Sequence, residues 1–233
     1  MLPLLTRLGG TALGLLFPCW CLGCGREGSL ICADCRLKLP EIKPPLCPRC
    51  GMPQPGGILC AGCLNHKPKI DGIRSVFRFE GIMRQAIHRF KYNNLRAIAK
   101  PLARLLGDYL ATYPLTAEVI VPVPLHRRRL RERGYNQSEL LAKELGKITG
   151  LPLIKGGLFR QQLSQPQARA ASAVERRKNV AGAFICRGDN LKDKSILLID
   201  DVATSGATLD ACAAALKAAG GGKVWGLTLA REV

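Results

Sequence analysis

The sequence predicts an α/β domain built on a parallel sheet, preceded by a cysteine-rich module that folds around metal. Three observations carry this. Segments of strand and helix character alternate from Asp71 to the C-terminus. Nine of the eleven cysteines fall between Cys19 and Cys63, mostly as C-x-x-C pairs. The aliphatic run ending at Ile199 leads into Asp200 and Asp201 and then into a loop of small and hydroxyl residues.

Composition divides the 233 residues into three parts. Residues 1–18 are expected to form an N-terminal helix packed on the body. Leu2 to Phe17 is apolar but broken by Thr6, Arg7 and three glycines, too short and interrupted for a membrane span. A signal peptide fits poorly, because an exported thiolate cluster would meet oxidants. The expected compartment is therefore the reducing cytoplasm. Residues 19–66 form the metal module, with proline and glycine between the cysteines and too little apolar periodicity for a core of their own. Residues 71–233 form the α/β domain.

Within that domain Arg74 to Phe79 alternates like a strand. Ile82, Met83, Ala86, Ile87 and Phe90 recur at helical spacing, as do Ile98, Leu102, Leu105, Leu106 and Tyr109. Glu118 to Val123 reads as a buried strand stopped by prolines, and Glu139 to Thr149 as a helix closed by Gly150. Ser195 to Ile199 reads as a central strand. Thr208 to Ala219 is an alanine-rich helix ended by three glycines, and Val224 to Ala230 is a last strand.

The formal charge is +18, from 35 Lys and Arg against 17 Asp and Glu spread thinly. Such a balance fits a phosphate-rich ligand, from mononucleotide to nucleic acid, or a surface solvated by basic side chains.

The cysteines form two quartets: Cys21, Cys24, Cys32 and Cys35, then Cys47, Cys50, Cys60 and Cys63. Each C-x-x-C turn presents two thiolates, and two such turns complete a tetrahedron for Zn2+. Two structural zinc ions are expected, because four protein ligands leave no position for water. Sequential and cross-braced pairing share this spacing. Cys19 can replace Cys21, and His66 is close enough to substitute. Cys186 and Cys212, in apolar contexts, read as buried thiols.

In the run Ile196 to Thr208, a buried strand ends in two carboxylates and a short loop around Gly206 opens a helix. Backbone N–H groups there, with the hydroxyls of Thr204, Ser205 and Thr208, can surround a phosphate. Asp200 and Asp201 suit a sugar's hydroxyls, directly or through Mg2+ and water. Arg127, Arg128, Arg129, Arg131 and Arg133 suit a diphosphate or a nucleic-acid backbone equally. His126 and His88 are candidate general acids, though no carboxylate adjoins either in sequence. Stacking platforms are few, with Trp20, Tyr92, Tyr135 and Trp225 the main candidates, of which Trp225 is expected in the core.

The loop resembles the PRPP-binding motif of type I phosphoribosyltransferases. Val121-Pro-Val-Pro-Leu-His126, the arginines after it, Tyr135-Asn-Gln137, Arg160 to Ser164, Gln167 to Val180, Glu80-Gly81, Ile87 to Tyr92 and the quartets together resemble the ComF/GntX family over nearly the whole chain. The resemblance implies a parallel-sheet type I phosphoribosyltransferase fold with an N-terminal double zinc-ribbon module. It implies PRPP, or a related ribose phosphate, with Mg2+ at Asp200, Asp201, Val202, Ala203, Thr204, Ser205, Gly206, Ala207 and Thr208. The two aspartates are the catalytic candidates. Pyrophosphate falls to Arg127, Arg128, Arg129 and Arg133, and a hood loop to the stretch from Arg160 to Arg177. An acidic residue, usual at the position of Thr204 in transferases of 6-oxopurines, is absent, which disfavours that acceptor. The family's association with competence implies a cytoplasmic protein that handles single-stranded DNA during uptake beside a helicase-like ATPase. An active phosphoribosyltransferase with an unidentified acceptor is the alternative, and a PRPP sensor without turnover a third reading.

Overall fold

The computed structural model describes residues 19–161, 180 and 182–233. The helix expected over residues 1–18 and the hood stretch from 162 to 177 lie outside them.

Four parallel strands form the central sheet: β1 (Gly72–Arg78), β2 (Val119–Pro122), β5 (Ile196–Ala203) and β6 (Val224–Arg231), in the order β1-β6-β5-β2. A two-stranded antiparallel pair, β3 (Leu158–Arg160) and β4 (Phe184–Cys186), stands apart. Helices α1 (Ala33–Leu37) and α2 (Ala61–Asn65) belong to the cysteine module. Helices α3 (Gly81–Tyr92), α4 (Ala99–Thr112), α5 (Arg127–Arg133), α6 (Gln137–Thr149) and α7 (Ala207–Ala218) belong to the sheet domain.

The aliphatic run in β5 reflects cover on both faces. Leu197 and Ile199 pack with Phe90, Leu102, Leu106, Leu141 and Leu145 from α3, α4 and α6. Ile196 and Leu198 pack on the other side with Leu209, Cys212 and Leu216 of α7. The strand outruns its expected end at Ile199 and continues to Ala203, so both aspartates lie within it. It can do so because β6 pairs with it as far as Ala203↔Arg231.

The cysteine module is bonded along β1. The Ile42 N–H donates to the Val76 carbonyl at 2.9 Å, and the Ile73 N–H to the Arg49 carbonyl at 2.7 Å. An antiparallel bridge joins Glu41 to Phe77. The module thereby covers the edge that β1 would otherwise expose.

Tyr135, expected as a stacking platform, is buried against Phe90, with ring centroids 6.0 Å apart and its hydroxyl donating to the Phe90 carbonyl. Trp225, expected in the core, is only partly buried. The reason is Gly72, its register partner on β1. A Cβ there would lie 2.1 Å from the indole, so the ring lies over the glycine at the sheet's end.

Phe90→Ala should cost about 3–5 kcal/mol in urea unfolding, since a fully buried ring leaves a cavity behind. Leu37→Ala, at a side chain 87% exposed, should change stability by less than about 0.5 kcal/mol.

Candidate phosphate and zinc sites

Sequential pairing is the arrangement present. The four sulfurs of Cys21, Cys24, Cys32 and Cys35 lie within 4.8 Å of one another, as do those of Cys47, Cys50, Cys60 and Cys63. Tetrahedral zinc with bonds of about 2.3 Å separates its sulfurs by about 3.8 Å. Cys24 and Cys32 are 3.7 Å apart, and Cys50 and Cys60 3.5 Å. The backbone N–H groups of Cys32 and Cys60 point at Cys21 Sγ and Cys47 Sγ, at 3.4 and 3.5 Å. Burial raises the Cys21 thiol, but backbone donors at Cys32, Cys24 and Gly23 outweigh it and bring the group to about 6. Burial and its neighbouring cysteines push Cys35 up to about 12. Four thiols packed so closely ionise together only around a cation, so both quartets fit structural zinc. Cys19 and His66 lie outside them. Cys212 is buried as expected, whereas Cys186 is only partly so.

The phosphate loop follows β5. Gly206 sits at φ +75°, in the left-handed region, and caps the start of α7. Its conformation turns the chain so that Ala207 and Thr208 begin the helix. Ser205 Oγ accepts weakly from the Ala207 N–H at 3.4 Å, and Thr204, Ser205 and Thr208 are all partly exposed.

The two aspartates have separate partners. Asp201 Oδ1 pairs with Lys91 Nζ at 2.8 Å, with the carboxylate nearly buried. Asp200 Oδ1 accepts from Ser138 Oγ at 2.8 Å and from the Asp201 N–H at 2.9 Å. Burial, then the Asp201 charge, pushes Asp200 up to about 7 against these bonds and the attraction of Lys91. Lys91 and Ser138 were missed as site residues. Both sit in or beside segments of the family signature, but only the folded chain brings α3 and α6 to the end of β5.

Arg127, Arg128, Arg129 and Arg131 project from α5 and are exposed; Arg133, at its end, is partly covered. His126 caps that helix, its Nδ1 accepting from the Arg128 N–H at 3.2 Å. Burial and then the charge of Arg160 lower its pKa, as do the arginines of α5. A neutral imidazole serving as a cap is a positioning group here. The Arg133 guanidinium stands 5.0 Å from the centre of the exposed Tyr92 ring, with the His88 ring on that tyrosine at 4.8 Å.

The second quartet adjoins the phosphate loop. A cavity of about 30 Å³, room for about one water, is lined by Cys63, His66, Ser205, Gly206 and Asp210 among others. Asp210, in the first turn of α7, accepts from the Ile70 N–H at 3.0 Å and lies 3.3 Å from His66 Nε2. The almost wholly buried Arg231 donates to the Cys50 carbonyl, and its Nη2 lies 3.6 Å from where a Gly206 Cβ would be.

Parallel strands in this order, with two aspartates and a glycine-turned loop at the end of β5, define a type I phosphoribosyltransferase-like domain joined to a double zinc ribbon. The family model described as the double zinc ribbon domain matches residues 12–64. The competence protein ComFC of Bacillus subtilis is 32% identical over 189 residues, 77% of this chain and 74% of that one. The DNA utilization protein YhgH of Escherichia coli K12 is 30% identical over 201 residues, 82% and 86% of the two chains. The chain belongs to the ComF/GntX family. Among solved structures, glutamine phosphoribosylpyrophosphate amidotransferase from B. subtilis overlays with a TM-score of 0.40 and 20% identity, over 57% of this chain and 26% of that one.

Two outcomes are expected. Metal analysis of freshly purified protein should give two zinc ions per chain, and chelation should lower the melting temperature, because metal binding and folding of such modules are one equilibrium. The second concerns pH. Asp200 holds its proton in the folded chain up to about 7, whereas the unfolded chain loses it near about 3.9. Its contribution to stability is therefore fully present below about 3.9, is lost progressively as pH rises from there, and is gone above about 7. Asp200→Asn should raise the melting temperature relative to the parent at about pH 8 and little at about pH 3, by about 2–4 °C for each kcal/mol recovered.

Proposed function

We propose that this chain handles single-stranded DNA during DNA uptake, and that its loop from Asp200 to Thr208 holds PRPP or a related ribose phosphate with Mg2+. The observation that carries the DNA reading is the row of exposed arginines on α5, which ends at Arg133 over the exposed Tyr92 ring. Arginines contact phosphates without regard to sequence, and an exposed ring offers a face to any base. The +18 charge and the names of the relatives agree with it. The assignment places the ribbon at 19–66 and the phosphoribosyltransferase-like domain at 71–233. It also places the protein in the cytoplasm beside a helicase-like ATPase. No helix among the described residues is long and apolar enough to cross a membrane.

For the ribose phosphate, the placement of Asp200 and Asp201 at the end of β5, immediately before the loop, supports the fit, and Mg2+ would compete with Lys91 for Asp201. Asp200 and Asp201 would hold the Mg2+, which would supply positive charge against the diphosphate. The chain's own part is to receive the 5-phosphate on the N–H groups and hydroxyls of the loop and to turn Asp200 and Asp201 to the sugar. A second reading is an active phosphoribosyltransferase: Gly206, left-handed at the start of α7, leaves that helix's first turn to receive the phosphate. Asp200 and Asp201 are then the catalytic pair, and pyrophosphate leaves toward Arg127, Arg128, Arg129 and Arg133. A sensor without turnover uses the same contacts.

One preparation separates these. Binding of a short oligothymidylate should weaken steeply with salt and survive the change of both Asp200 and Asp201 to alanine. Replacing Arg127, Arg128 and Arg129 by alanine should reduce the slope of log K against log salt by about 2, at about 0.7 per phosphate contact. Calorimetry with PRPP and Mg2+ should show binding that the double aspartate change abolishes. Failure of the unaltered chain to bind the oligonucleotide at moderate salt would end the DNA reading, and lack of PRPP affinity would end the other two.

A further inference from the structure

At the other end of the sheet from the phosphate loop, where β1 and β6 begin, an open cavity of about 580 Å³ lies between the ribbon module and α4. That volume falls within the range of ligand-binding clefts, about 300–1,000 Å³. Trp225 lines it, lying over Gly72. Tyr109 and Tyr113, one turn apart on and just after α4, line the opposite wall with ring centroids 5.1 Å apart. Tyr113 is 45% exposed. The Arg74 guanidinium stands 5.0 Å from the centre of the indole and is held by carbonyls of Pro48 and Ile73, at 3.0 and 2.8 Å. Lys223 adds a second, exposed cation, and none of the lining residues is acidic.

Three aromatic rings and two fixed or flexible cations, with no carboxylate, select for a planar, electron-rich group attached to negative charge. A nucleobase on a phosphodiester chain has both parts: a face for the rings and a phosphate for Arg74 and Lys223. A proline-rich peptide would also find these rings, with Pro44 beside them. It brings no negative charge to match the cations, in a chain of net charge +18. We infer that this cavity is a stacking site for bases of single-stranded nucleic acid, formed by Tyr109, Tyr113 and Trp225 with Arg74 and Lys223 on the backbone. The inference rests on the single-strand reading above and gives it a second point of contact, distinct from α5.

The chain has two tryptophans, Trp20 and Trp225, so Trp20→Phe in the full-length protein leaves Trp225 as the only tryptophan reporter. Titration with oligothymidylate should quench its emission, because a stacked base quenches an indole. Tyr113→Ala, at a side chain 45% exposed, should weaken oligonucleotide binding about tenfold, the effect of one lost stack. Binding with unchanged Trp225 emission and unchanged affinity in Tyr113→Ala would overturn the cavity assignment and leave the α5 reading standing. Absence of any oligonucleotide binding by the unaltered chain would overturn both. Quenching by a proline-rich peptide but not by the oligonucleotide would overturn the choice of ligand.

Discussion

Arg231 is a full cation with 1% of its surface exposed, placed where β6, the second cysteine quartet and the turn at Gly206 converge. Burial lowers its pKa, and the nearby cysteine sulfurs act in the opposite sense. A guanidinium so far from water is costly unless negative charge stands beside it. Four thiolates around one zinc ion carry a net charge of −2, and they supply it. Removing the metal would leave protonated thiols and an uncompensated cation under the phosphate loop. The ribbon is thus part of the electrostatics of the domain it precedes.

The site at the end of β5 is assembled from opposing charges held close. Asp201 is stabilised by Lys91, whereas Asp200 is pushed toward its neutral form by burial and by its neighbour. The strand that carries them is held there by β6, through Asp200↔Thr228 and Val202↔Ala230, beyond the point where the register with β2 ends at Ile199. Stability spent in this way is typical of positions kept for a ligand rather than for folding.

Much of this was legible because the relevant signals are local. A strand covered on both faces must be aliphatic throughout, and Ile196 to Ile199 is. Zinc knuckles need fixed spacing, and the quartets have it. The turn into α7 needs a residue tolerant of positive φ, and Gly206 supplies it. What stayed hidden depends on contacts between distant segments. Lys91 and Ser138 reach the aspartates only after α3 and α6 dock. Tyr135 and Trp225 exchange their expected roles because burial was set by the neighbours Phe90 and Gly72, not by the aromatic residues themselves. Sequential pairing of the cysteines and the tie from His66 to Asp210 likewise needed the folded chain.

The length of β6 has a consequence of its own. Trp225 and Arg231 mark its two ends, six residues apart, and at about 3.3 Å per residue the strand sets them about 20 Å from one another. Strand β6 therefore works as a ruler. A single nucleotide seated by the loop is far too small to span that distance, so it leaves the opposite end untouched. Only a polymer can touch both ends at once, and the two kinds of occupant are told apart by reach alone.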